Sequence, residues 1–106
     1  MPSEPEIVDD KEQSRYEAHL DGETVAIADY VKQPGLISFT HTETLPARRG
    51  QGLAGQMIDR ALRDAREEGL QVMPFCSFVA DHIGSHKEFL ELVPADRRTE
   101  FGLPSE

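Results

Sequence analysis

Residues 48–55 read Arg-Arg-Gly-Gln-Gly-Leu-Ala-Gly, and the period of the chain changes across them. Before this stretch apolar residues recur at every second position, as in half-buried strands. After it Leu53, Met57, Ile58, Ala61, Leu62 and Ala65 recur at the three-to-four spacing of one helix face. The stretch is therefore a glycine-rich bend from strand to helix. A helix start offers N–H groups without intrahelical partners and about half a positive charge. Glycines remove the Cβ atoms that would hold an anion away from those N–H groups. Two arginines, a glycine bend and a helix N-terminus together suit a pyrophosphate.

Outward from this junction the elements follow one another at short intervals. Tyr16, Ala18 and Leu20 alternate along Arg15–Leu20, and Asp21-Gly22 matches a tight hairpin turn. Thr24 to Val31 alternates again, with Val25, Ile27 and Val31 on one side, and Gln33-Pro34-Gly35 is a second turn. Leu36 to Glu43 is the third strand. A helix over 52–68 follows the loop, with Gly69 where a C-cap belongs, then a strand from Leu70 to Phe75. Ser77 is placed to cap a short helix over Phe78–Ile83 that ends at Gly84, and Lys87–Leu92 is a last helical turn. The expected architecture is an α/β (α+β) fold with a mixed sheet: antiparallel strands leading into one parallel β-α-β unit with a right-handed crossover. Three regions are expected: a flexible acidic segment over 1–13, the domain over 14–94, and a polar, frayed tail over 95–106.

The 106 residues suffice for one core. No apolar run approaches the roughly 20 residues of a membrane span, and no signal-like segment opens the chain. Cys76 is the single cysteine and cannot form an internal disulfide. A cytoplasmic protein is the expectation. The net charge of −9 argues against nucleic acid as a partner. Residues 47–66, however, hold five arginines against two aspartates, the one basic stretch of the chain. Arg60, Arg63 and Arg66 fall on the solvated face of the helix; Arg48 and Arg49 belong to the loop itself. A local basic island beside a helix start points to a small anionic ligand.

Gly50-Gln51-Gly52-Leu53-Ala54-Gly55 satisfies the dinucleotide fingerprint G-x-G-x-x-G literally. That fold would place the motif after its first strand and end the next strand on an acidic residue. Here antiparallel strands precede it, and Cys76-Ser77 stands at the later position. A P-loop would need Lys-Ser or Lys-Thr after the glycines, which are absent. Arg49-x-x-Gly52-x-Ala54, by contrast, resembles the Q/R-x-x-G-x-G/A acetyl-CoA motif of the Gcn5-related N-acetyltransferases. Four ordered blocks sharpen the likeness to that family's small Yjdj-type subgroup. They are His41-Thr42-Glu43, Arg49-Gly50-Gln51-Gly52-Leu53-Ala54, Val72-Met73-Pro74-Phe75-Cys76-Ser77-Phe78-Val79, and His86. The likeness covers roughly residues 15–93. Leu45-Pro46 departs mildly from the subgroup's usual Val-Pro.

The resemblance implies an acyl-CoA N-acyltransferase fold with acetyl-CoA as cosubstrate and no metal. It implies that the strand ending at Glu43, with Thr44 and Leu45, bonds the pantetheine arm through its backbone. Backbone N–H groups of Arg49, Gly50, Gln51, Gly52, Leu53 and Ala54 would cradle the pyrophosphate. An N–H near Leu45 would polarise the thioester carbonyl, in a gap where the two parallel strands splay apart. The acceptor is then an amine, of a small molecule or of a protein or peptide, which must give up a proton before it attacks. Typical members are longer and have N-terminal helices that shape the acceptor pocket; here the first strands are expected to lead straight to the core motif. An open acceptor side is expected, in a monomer or weak dimer.

Three further candidates stand outside the loop. Cys76 ends the fourth strand just before a helix start. It is either a nucleophile that takes the acetyl group or a small residue packed beside the cofactor. His41 and Glu43 alternate with Ile37 and Phe39 and are expected on the same inward face, as general base or as a structural pair. His82 and His86 are four apart, but no third ligand accompanies them, so no zinc is expected. The functional expectation is an acetyl-CoA-dependent N-acetyltransferase with Cys76, Glu43 and His41 at the chemistry. The competing expectations are a CoA-binding module with little turnover that acts through a partner, and a nucleotide-binding scaffold.

Overall fold

The computed structural model describes residues 4–105. Five strands lie in the order β1-β2-β3-β4-β5. They are β1 (Glu6–Asp10), β2 (Arg15–Leu20), β3 (Glu23–Gln33), β4 (Leu36–Thr44) and β5 (Gln71–Pro74). The first four form an antiparallel meander, and β5 pairs with β4 in parallel. Two helices complete the fold, α1 (Leu53–Glu67) and α2 (Ser77–Ser85), and 3-10 turns follow them. No helix among the described residues is long and apolar enough to cross a membrane.

Local chemistry accounts for most of the connections. Asp21 and Gly22 both adopt positive φ, 52° and 79°, as a two-residue hairpin turn requires. Gly35 does the same after Pro34 between β3 and β4. Helix α1 ends in a Schellman motif: Leu70 N–H donates to Ala65 O and Gly69 N–H to Arg66 O, with Gly69 left-handed at φ 71°. The inner stripe of α1 (Leu53, Ala54, Met57, Ile58, Ala61, Leu62 and Ala65) is buried against β2, β3, β4 and β5. The core continues through Phe39, Val72, Val79, Ile83 and Phe89.

Away from the β4–loop region the structure departs from the sequence expectations at four places. Residues 6–10 are a strand, not a flexible segment. The strand pairs with all of Arg15–His19, Ile7 packs on the core, and Tyr30 Oη donates to Asp9 Oδ1 at 2.6 Å. The 95–106 tail is likewise not frayed over its described part: Leu103 is buried and Phe101 meets Phe75 edge-on, with ring centroids 5.4 Å apart. In β3 the inward residues are Val25, Ala26, Ala28 and Tyr30, while Val31 is exposed. A bulge places Val25 opposite no single partner and shifts the alternation. Helix α2 starts at Ser77, one residue before the expected start at Phe78, so Cys76 is its N-cap and Ser77 is not; it also runs past Gly84 to Ser85.

Candidate functional site

The site is made where β4 and β5 part. Their pairing covers only Leu36–Phe39 against Gln71–Pro74. It closes with Cys76 N–H donating to Phe39 O at 3.0 Å. There β5 ends and the chain turns into α2, while β4 runs on to Thr44. The β5-side edge of residues 40–44 is therefore left without a strand. A second bulge falls at the same point: Asp29 pairs with His41 and Tyr30 with Phe39, leaving Thr40 as the extra residue.

That bulge reverses the parity of the strand. Ile37 and Phe39 are buried, but beyond Thr40 it is Thr42 and Thr44 that are half-buried, and both line the cleft with the exposed Glu43 between them. His41 and Glu43 do not share the inward face with Ile37 and Phe39, as simple alternation had implied. Their side chains are 53% and 66% exposed, with His41 Nε2 3.4 Å from Glu43 Oε1. The hydrogen-bond parity moves with them. Leu45 N–H donates to Val25 O at 2.9 Å, so of the N–H groups near Leu45 its own is not the one available to a thioester carbonyl. By antiparallel alternation, Thr42 and Thr44 are the residues whose backbone groups face the vacated edge.

A cleft of about 510 Å³ occupies the gap. Its walls include Thr42, Glu43 and Thr44 of β4, Arg48 to Gly50, Gly52 to Gly55, and Phe78 of α2. Thr44, Arg49, Gly50, Gly52, Leu53 and Ala54, all expected at the cofactor, therefore meet there. Gln51 is exposed and is not part of this wall, and Leu45 lines a different cavity. Cys76 adjoins the cleft through Thr42: Cys76 Sγ lies 3.1 Å from Thr42 Oγ1. Thr42 was not singled out from the sequence as a site residue in its own right. Its only signal was its place between His41 and Glu43 in the first ordered block.

The loop at the other end of the cleft is built to present N–H groups. A 3-10 turn over Pro46–Arg48 uses the N–H groups of Arg48 and Arg49, which donate to Leu45 O and Pro46 O. Arg49 N–H is thus committed, contrary to the expectation that it joins the cradle. Gly50 and Gly52 then take left-handed φ of 82° and 75°. The first backbone bond of α1 is Gln56 N–H to Gly52 O. Among the described residues, the N–H groups of Gly50 to Gly55 have no backbone partner, and Gly52 caps α1 without a side-chain bond. A Cβ on Gly50 or Gly52 would meet nothing within 4 Å, so the space above the loop is open. Arg48 is held loosely by Glu23 at 3.6 Å. Such a cradle, with adjacent cationic side chains and the positive end of α1, fits a pyrophosphate.

A further cavity of about 360 Å³ lies behind β4, lined by Thr24 to Ile27, Glu43 to Pro46 and Arg49. Glu43, Thr44 and Arg49 border both spaces. Beyond the loop, His82 and His86 stack with centroids 4.0 Å apart. His82 is 9% exposed and lies 3.4 Å from Asp59. Burial pushes the His82 pKa below its ordinary value, only partly opposed by Asp59. No group of three or more metal-binding side chains comes together among the described residues.

A family model described as GCN5-related N-acetyl-transferase matches residues 15–92, spanning β2 to the turn after α2. The chain belongs to this family. The mixed sheet, with antiparallel strands followed by the parallel β4–β5 pair, is consistent with a GCN5-related N-acetyltransferase fold. No curated protein gave a match. Members of this family are acetyltransferases that generally use acetyl-CoA.

Proposed function

We propose that the protein transfers an acetyl group from acetyl-CoA to the amine of an acceptor. The observation that carries this reading is the gap between β4 and β5. Unpartnered loop N–H groups stand at one end of it and the Thr42–Cys76 pair at the other. Gly50 to Ala54 would hold the pyrophosphate through backbone N–H groups, with Arg48 and Arg49 beside them. The backbone of Thr42 and Thr44 would hold the amide groups of the pantetheine arm, taking the place of the absent strand partner. Acetyl-CoA supplies an activated thioester carbonyl; as the amine nitrogen forms its bond to that carbon, the C–S bond breaks and the CoA thiolate leaves.

The protein's own part is to orient, to exclude water and to accept a proton. Phe78 and Leu53 make the cleft wall apolar where the acyl arm would lie. The cavity behind β4 reaches Glu43 from the other side, so an acceptor there would meet the Glu43–His41 pair. That pair is exposed and able to take the proton that the amine must lose. Cys76, at the closed end, would lie beside the thioester, as a nucleophile or as a packing neighbour. The four ordered blocks of sequence support membership of the small Yjdj-type subgroup.

The test is thiol release from acetyl-CoA in the presence of small amines and lysine-containing peptides. Amine-dependent release, with an acetylated product of matching mass, is expected. Tight CoA binding with no release from any amine would favour instead a CoA-binding module that works through a partner.

A further inference from the structure

On the other side of the glycine loop, between α1 and α2, lies a cavity of about 520 Å³. It shares Gly52 and Gly55 with the cleft, so a molecule seated on the loop N–H groups touches both spaces. Arg60, Arg63 and His86 stand around it, and Asp59 is its one acidic side chain. Asp59 is already occupied, by Arg63 at 2.8 Å and by His82 at 3.4 Å. Asp64, the partner of Arg60, does not line the cavity and also accepts from Tyr16 Oη at 2.8 Å. The two arginines are 54% and 68% exposed, so these pairs hold them weakly and a dianion can draw them away. His86 Nδ1 donates to His82 O at 2.8 Å, which fixes the ring at the cavity wall.

Coenzyme A carries two separate anionic groups, the pyrophosphate and the 3′-phosphate of its ribose. With the acyl arm in the β4–β5 gap and the pyrophosphate on the loop, the nucleotide end must leave on the loop's other flank. The cavity behind β4 suits it poorly: Val25, Ile27, Leu45 and Pro46 line it, and it offers one arginine, Arg49, alongside the carboxylate of Glu43. We infer that the α1–α2 cavity takes the 3′-phosphate of coenzyme A on Arg60 and Arg63, which rests on the CoA reading above. These two arginines thereby leave the role of a merely solvated helix face and set the preference for CoA over its dephosphorylated form.

The experiment is calorimetric binding of CoA and of 3′-dephospho-CoA to the wild-type chain and to Arg60→Gln/Arg63→Gln. Wild type should bind CoA about tenfold or more tightly than dephospho-CoA, the scale of one charge-assisted hydrogen bond. Half-molar salt should shrink that difference. The double variant should bind the two ligands alike, with dephospho-CoA affinity unchanged; that last value also shows that the variant is folded. Equal affinities in wild type, or a preference kept by the double variant, would overturn the assignment and leave the CoA reading intact. Binding of neither ligand by wild type would overturn both.

Discussion

Gly52→Val separates the two things a glycine can do at the head of α1. Gly52 is left-handed at φ 75°, and a Cβ built on it meets nothing within 4 Å. The cost to the fold is therefore backbone strain alone, about 1–2 kcal/mol for a residue with a Cβ and toward the upper end for a branched one. A domain of this size has roughly 5–15 kcal/mol of stability, so the variant stays folded. At about 4 °C per kcal/mol its Tm falls by roughly 8 °C. Gly69→Val is the matched control. It has φ 71° and the same open space, but it stands at the far end of α1 in the Schellman motif. Both variants should lose similar stability. Only Gly52→Val puts side-chain atoms over the N–H cradle. Losing two charge-assisted hydrogen bonds from those groups costs about 3 kcal/mol, a rise in the CoA Kd of at least a hundredfold. Calorimetric titration of CoA into both variants, beside their thermal unfolding, measures each quantity. A Gly52→Val protein that binds CoA as the Gly69→Val protein does would refute the cradle assignment.

Other consequences are independent of that loop. Tyr30→Phe removes the 2.6 Å bond to Asp9 that anchors β1. It should cost about 1.5–3 kcal/mol and speed amide exchange over residues 6–10; unchanged exchange there would mean that β1 is held by its strand pairing alone. His82 is buried, with a pKa below its ordinary 6.5. As pH falls through 6.5 the unfolded chain takes up this proton before the folded one, so stability is lost with acidification. Between pH 7.5 and 5.5 the wild-type Tm should fall more than that of His82→Gln, and parallel falls would show that His82 is not the group responsible. If Cys76 is acetylated in turnover, mass spectra of the acid-quenched protein should carry an acetyl group that Cys76→Ala lacks. Full turnover by Cys76→Ala would leave that residue a packing role only.

What could be read from the sequence was what local chemistry decides. The Asp21-Gly22 and Pro34-Gly35 turns, the stripe of α1 and the Gly69 cap are set by residues within a few positions of one another, and the strands between them followed. The loop with its flanking arginines was legible for the same reason. What escaped depends on distant contacts or on a single inserted residue. Strand β1 is acidic and aperiodic; Tyr30, twenty-one residues on, and the edge of β2 hold it in place. The tail beyond Pro94 has no periodicity, yet Leu103 finds a buried place near Gly84. Counting alternate residues along β4 fails after Thr40, because one extra residue exchanges the faces. That exchange put Thr42 at Cys76 and turned His41 and Glu43 outward, which no propensity for strand could have indicated.

The most direct test of the central claim is a thermal-shift titration with acetyl-CoA, CoA, NAD and ATP side by side. A ligand at a hundred times its Kd stabilises the fold by about 2.7 kcal/mol, a rise in Tm of roughly 10 °C for a chain of this length. Stabilisation by acetyl-CoA and CoA, with none by NAD or ATP at the same concentration, is the predicted result. Stabilisation by NAD, or by none of the four, would contradict the assignment of the Gly50–Gly55 cradle to coenzyme A.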